Sequence, residues 1–180
     1  MMFRKVLLFI LIAVSAGAVG VYVGVQRIEP RTPQAQALAR LFAQTLAEPA
    51  GGRPQALSTW RGKPLLINFW ATWCGPCVEE MPGLAALHKQ TPGLQVIGIG
   101  IDSAAQIAEF AARLKIDYPL YVADSNATGL MRELGNAVGG LPFTLLIGAD
   151  GAIKKSYIGA LDFDKLRQDI AGEIAPAKSR

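Results

Sequence analysis

The sequence predicts an α/β fold built on a mixed central sheet flanked by helices. Three observations carry this. Four apolar runs of strand length, at residues 65–70, 94–101, 118–122 and 143–147, recur along the chain. Helical patterns at 74–90, 103–114 and 125–134 fill the spaces between them. Asp150-Gly151 then separates the last run from 153–158, a short hairpin signal that adds an antiparallel edge.

Taken in order, the chain opens with residues 6–25, twenty positions without a charge. As a helix they reach about 30 Å, enough to cross a bilayer core. Residues 1–26 are read as an N-terminal membrane anchor. A cleaved signal segment is the competing reading, because Ala16-Gly17-Ala18 offers a small-residue site. Arg4 and Lys5 precede the apolar run, so the remainder is expected on the far side of the membrane.

Residues 27–40, with Pro30 and Pro33 and no long apolar run, read as a tether. A compact domain is expected over 41–176, followed by a tail at 177–180. Residues 41–46 suggest a short strand, 48–54 a turn, and 55–57 a second short strand, together an N-terminal strand extension. The runs at 65–70 and 94–101 are almost continuously apolar, as a sheet covered on both faces requires. Pro82 should kink or interrupt the helix over 74–90. The segment 162–174 closes the domain as a helix, with Asp162 or Asp164 serving its N-terminus.

Composition narrows the function classes. The 180 residues are 51% hydrophobic and 18% charged, which excludes a disordered chain or a coiled coil. The formal charge of +4 comes largely from Arg4, Lys5 and Arg27, in a stretch of 28 residues without an acidic group. The excess flanks the apolar segment and forms no patch on the domain, so nucleic-acid binding is not expected.

The chain has two cysteines, Cys74 and Cys77. A structural disulfide over so short a loop constrains the unfolded chain little. A zinc site would need two further ligands, and His88, the single histidine, reads as a solvated side chain on the helix pattern, so no metal is expected. Redox chemistry fits better. The pair directly follows a buried-strand pattern, and Gly75-Pro76 places proline in a first helical turn. Cys74 then sits at a helix N-terminus, where unpaired N–H groups and the helix dipole lower a thiol pKa from its free value of about 8.5. Thiolate is the attacking species in disulfide exchange, and Cys77, one turn further on, can resolve the mixed disulfide.

The segment Asn68-Phe69-Trp70-Ala71-Thr72-Trp73-Cys74-Gly75-Pro76-Cys77 resembles the active-site stretch of thioredoxin-fold proteins, and within them the membrane-anchored TlpA/ResA-type thiol-disulfide oxidoreductases. Trp60-Arg61-Gly62-Lys63-Pro64, Glu79-Glu80-Met81-Pro82 and Gly140-Leu141-Pro142-Phe143-Thr144 extend the likeness over about residues 41–174. The resemblance implies that Cys74 is the exposed nucleophile and Cys77 the buried resolving thiol. It implies a cis peptide at Leu141-Pro142 facing the cysteines, with Leu141 offering backbone groups to an extended substrate. Trp73, Gly75 and Pro76 complete the expected substrate-facing set, while Trp70 reads as core.

Asn68 stands where classical thioredoxin has a proton-accepting aspartate, and an amide cannot take that role. Glu80, three residues after Cys77, is the replacement candidate, since Glu79 should point outward. Burial would raise the Glu80 pKa into a useful range.

The resemblance implies protein thiol and disulfide substrates, a membrane electron donor, no cofactor beyond the Cys74–Cys77 disulfide, and a monomeric domain facing the periplasm from the inner membrane. A dedicated reductase for cytochrome c maturation or copper-site assembly is the favoured expectation. Phe143-Thr144 in place of Glu-Thr weakens the cytochrome c assignment. A general dithiol oxidase, a thiol peroxidase and a Cu(I) carrier using the same two cysteines stand as alternatives.

Overall fold

The computed structural model describes residues 32–51, 53–124 and 126–174. The expected anchor at 1–26 and the tail at 177–180 lie outside the described residues. Among the described residues, no helix is long and apolar enough to cross a membrane.

The first described element corrects the expected tether and first strand. Pro33–Ala43 is a helix, α1, with Pro33 at its first position. Ala37, Leu38, Leu41 and Phe42 are buried along it, the spacing of one helical face. Residues 33–40 therefore belong to the packed domain, and 41–43 finish a helix instead of starting a strand. The strand is left with Thr45–Leu46, β1, which pairs antiparallel with Gln55–Ala56, β2. Leu57–Trp60 follows as a turn of 3-10 helix against which α1 packs.

Leu65–Trp70 forms β3, all six residues buried. Gly75–Gln90 is α2, Gln95–Gly100 β4, Ala104–Leu114 α3, Leu120–Val122 β5 and Ala127–Glu133 α4. Phe143–Ile147, β6, and Ile153–Ile158, β7, precede the closing helix α5, Phe163–Ile174. The sheet order is β5-β4-β3-β6-β7. The strands β3, β4 and β5 run parallel, whereas β6 pairs antiparallel with both β3 and β7.

Alternation along β3 divides the core in two. Leu65, Ile67 and Phe69 face α1 and α4, where Phe69 stacks on Phe143 with ring centroids 5.7 Å apart. Leu66 and Trp70 face the layer of α2, α3 and α5. At about 1.5–3 kcal/mol for each fully buried large apolar side chain, this strand is a principal source of stability. Asn68 is the polar exception on the second face.

Two smaller expectations are also revised, and a third is resolved between its two alternatives. Helix α2 runs on through Pro82 without interruption. Proline withdraws one N–H there, and the burial of Met81, Leu84 and Leu87 around it keeps the helix seated. The hairpin after β6 is longer than two residues: Gly151 N–H donates to Gly148 O at 2.9 Å around Ala149 and Asp150, and Gly151 takes φ 78°. At α5, Asp162 is the capping residue, its Oδ1 accepting from the N–H groups of Asp164 and Lys165 at 3.0 and 3.1 Å.

Candidate active site

The cysteine segment leaves the buried end of β3 through a tight turn. Ile101 N–H donates to Trp70 O at 2.8 Å, continuing the β3–β4 ladder, and Cys74 N–H donates to Ala71 O at 3.2 Å, closing a turn with Thr72 and Trp73 at its centre. Cys74 caps α2, its Sγ accepting from Cys77 N–H at 3.3 Å. The helix N-terminus thus points the Cys77 N–H at the Cys74 sulfur. Pro76 lies in the first turn, where its missing N–H is not needed.

Cys74 and Cys77 are joined in a disulfide, with Cα atoms 5.3 Å apart. The exposed cysteine of the sequence reading reaches solvent through only 7% of its surface, and Cys77 through none. Trp73 beside them is 70% exposed, and Gly75 and Pro76 are also at the surface, whereas Trp70 is fully buried.

Glu80, one turn beyond Cys77, is buried in the face of α2 turned to the sheet, while Glu79 is exposed. Asn68 Nδ2 donates to Glu80 Oε1 at 2.8 Å, and Leu161 N–H donates to Oε2 at 3.3 Å. Burial pushes the Glu80 carboxyl from its ordinary range up to about 7, against the pull of these two donors. Asn68 also donates to Thr144 Oγ1 at 3.0 Å, its cross-strand partner on β6.

Leu141-Pro142 is a cis peptide. Phe143 pairs with Phe69, so Pro142 lies beside Trp70, at the sheet end from which the cysteine turn emerges. Its carbonyl accepts from Gly159 N–H at 2.9 Å. Leu141 is half-buried and packs against both cores, including the one that holds the cysteines.

The structure therefore gathers Cys74, Cys77, Glu80, Trp73, Gly75 and Pro76 around the start of α2, with Leu141 and Pro142 at the same end of the sheet. His88 departs from the solvated reading. It is half-buried, its ring 6.5 Å from that of Tyr118 in an edge-to-face contact, with Nδ1 shielded from solvent. Among the described residues, no group of three or more His, Cys, Asp or Glu side chains is placed to hold a metal ion.

Two neighbours were not foreseen from the sequence. Asn68 is more than a substituted position, because its amide donates to the buried Glu80 carboxylate. Thr144 steadies Asn68 from the next strand. Its two-residue alternation with Leu146 was the available signal for which face it takes.

A cysteine pair at the head of a helix, set on this sheet, defines a thioredoxin-like redox enzyme of the thiol-disulfide oxidoreductase class. The match to known proteins makes the assignment particular: residues 33–170 match Redoxin, and the chain belongs to that family. The match begins at the first residue of α1. The chain is 30% identical over 122 residues to the thiol-disulfide oxidoreductase ResA of Geobacillus thermodenitrificans, covering 66% of this chain and 68% of that protein. It is 33% identical over 129 residues to the thiol:disulfide interchange protein DsbE of Vibrio cholerae, covering 71% and 66%. Among solved structures, a thioredoxin-related protein from Neisseria meningitidis serogroup B superposes with TM-score 0.64 at 30% identity, covering 73% of this chain and 99% of that one. A secreted Mycobacterium tuberculosis disulfide oxidoreductase, at 21% identity and TM-score 0.61, shares the fold.

Proposed function

We propose that the protein is a dithiol reductase tethered to the inner membrane and facing the periplasm, acting on exported proteins whose paired cysteines have been oxidised. Apocytochrome c haem-site cysteines and copper-site assembly proteins are the substrate classes that fit. The observation that carries the exchange chemistry is the Cys74–Cys77 pair at the head of α2, with the buried Glu80 carboxyl one helical turn beyond Cys77.

The cycle begins from the reduced pair. Cys74 thiolate attacks one sulfur of the substrate disulfide, and the other substrate sulfur leaves as thiolate. Glu80 takes the Cys77 proton, and Cys77 attacks Cys74 Sγ in the mixed disulfide. The second substrate sulfur then departs and takes the proton from Glu80, the first takes one from solvent, the substrate has gained two electrons, and the enzyme holds the Cys74–Cys77 disulfide. A membrane dithiol donor returns two electrons and two protons, one proton to Cys77 and one to solvent, which leaves Cys74 as thiolate. Trp73, Gly75, Pro76 and Leu141 face the substrate chain, and Pro142, lacking an N–H, flanks the sulfurs without competing for them.

The test compares single-turnover reduction of a protein disulfide by wild type, Cys74→Ser and Cys77→Ser. Cys74→Ser is expected to be inactive, and Cys77→Ser to accumulate a mixed disulfide through Cys74. Exchange by Cys74→Ser near the wild-type rate overturns the reading. Capture on Cys77→Ser in native membranes then identifies the substrate.

A further inference from the structure

The turn that presents Cys74 is held from outside its own helix. Thr72, at the turn's first central position, donates its hydroxyl to Asp102 Oδ2. Asp102 lies just past the end of β4, the strand next to β3, and its second oxygen Oδ1 accepts from Ser103 N–H at 2.8 Å. Ser103 is the N-cap of α3, its Oγ accepting from Gln106 N–H at 3.3 Å. The carboxylate thus ties the cysteine turn to the start of an eleven-residue helix. Thr72 and Asp102 are both half-buried, so the contact is partly shielded from competing water.

The three other anchors of the turn do not orient its middle. Trp70 is fixed by the ladder, Cys74 by the head of α2, and Ala71 by burial. Trp73 projects into solvent. Thr72 is the point at which the turn can be held against rotation, and Asp102 is what holds it.

We propose that Asp102 is a positioning residue for exchange: by gripping Thr72 it fixes the Ala71–Cys74 turn and so the direction from which Cys74 Sγ meets an incoming disulfide. This rests on the reading of Cys74 as the nucleophile. Small displacements of a reacting atom cost rate steeply, up to about 100-fold for ~1 Å, so a clamp two residues from the sulfur has leverage on the attack step.

The test measures the attack of the reduced full-length protein on a small aromatic disulfide, followed by the released thiolate. Thr72→Val and Asp102→Ala are each expected to slow attack ~10-fold, and their combination no further than Asp102→Ala alone, because the Thr72–Asp102 contact is already lost in each. Thr72→Ser keeps the hydroxyl, and Asp102→Asn keeps a partner for both Thr72 and Ser103. Both are expected within about twofold of wild type. Thr72→Val at the wild-type rate, a double variant slowed by the product of the singles, or Ser and Asn variants as slow as Val and Ala would each overturn the proposal. A Cys74→Ser control that still exchanges would instead locate the fault in the nucleophile assignment.

Discussion

Asn68 on β3 and Glu80 on α2 meet across the interface of sheet and helix, the amide donating to the carboxylate at 2.8 Å in a setting where both are almost wholly buried. The pair balances two opposed effects. Burial favours the neutral acid, the amide donor favours the anion, and the carboxyl rests at about 7. A stronger donor would lower that value, and loss of a donor would raise it.

Asn68→Ala is therefore expected to move the Glu80 carboxyl above about 7. The variant also deprives Glu80 and Thr144 of a shared donor, at a cost of ~1–3 kcal/mol. A carbon-13 titration of the Glu80 carboxyl in the oxidised protein checks the first effect, and denaturant unfolding the second. An unchanged titration would show that the amide does not govern this group.

Glu80→Gln is expected to alter the pH dependence of stability. The folded-state pKa of about 7 lies above the ordinary 4.5, so the folded protein holds this proton more tightly than the unfolded chain. Stability from this group is complete below about pH 4.5 and is lost as pH rises to about 7, a decline on the order of 3 kcal/mol. Denaturant midpoints of the oxidised wild type should carry that decline, and those of Glu80→Gln should lack it. In the reduced protein the same variant should slow resolution by Cys77 more than attack by Cys74, roughly within the 10²–10⁴-fold range of general acid–base effects.

Gly98→Ala is expected to destabilise the domain by ~1–3 kcal/mol through overpacking. Gly98 is the cross-strand partner of Asn68. A Cβ there would stand 2.5 Å from Leu120 Cδ2, 3.2 Å from Trp70 Nε1 and 3.3 Å from Tyr118 Cε2. Thermal unfolding of the variant checks this, and an unchanged midpoint would mean that Leu120 gives way freely.

Leu41→Ala tests whether α1 is part of the domain. Leu41 is 1% exposed in the core facing α4, and its truncation is expected to cost about 2–5 kcal/mol. A loss below about 0.5 kcal/mol, as for a surface position, would return α1 to the status of a tether.

What could be read from the sequence follows from how each residue signals its place. Leu65–Trp70 is buried on both faces, and five of its six residues are apolar, so it announced itself as an interior strand. The cysteine helix was legible through its proline and its apolar flanks. Helix α1 was not, because its alanines and glutamines resemble a linker and only four of its residues are buried. Its 37, 38, 41, 42 spacing was the signal available. The clasp between Asn68 and Glu80 was illegible for a different reason: it joins two elements whose relative seating depends on the whole core. His88 likewise owes its partial burial to Tyr118, thirty residues away.

Because β3 is paired with β4 from Leu65 to Trp70 and with β6 from Leu65 to Phe69, it belongs to the part of the molecule expected to exchange its amide hydrogens last, by global opening. The reactive turn hangs directly from that strand. Fluctuations that loosen the outer hairpin or the chain's peripheral helices can therefore come and go while the two sulfurs keep their address, and the electron traffic runs on the most durable beam of the building.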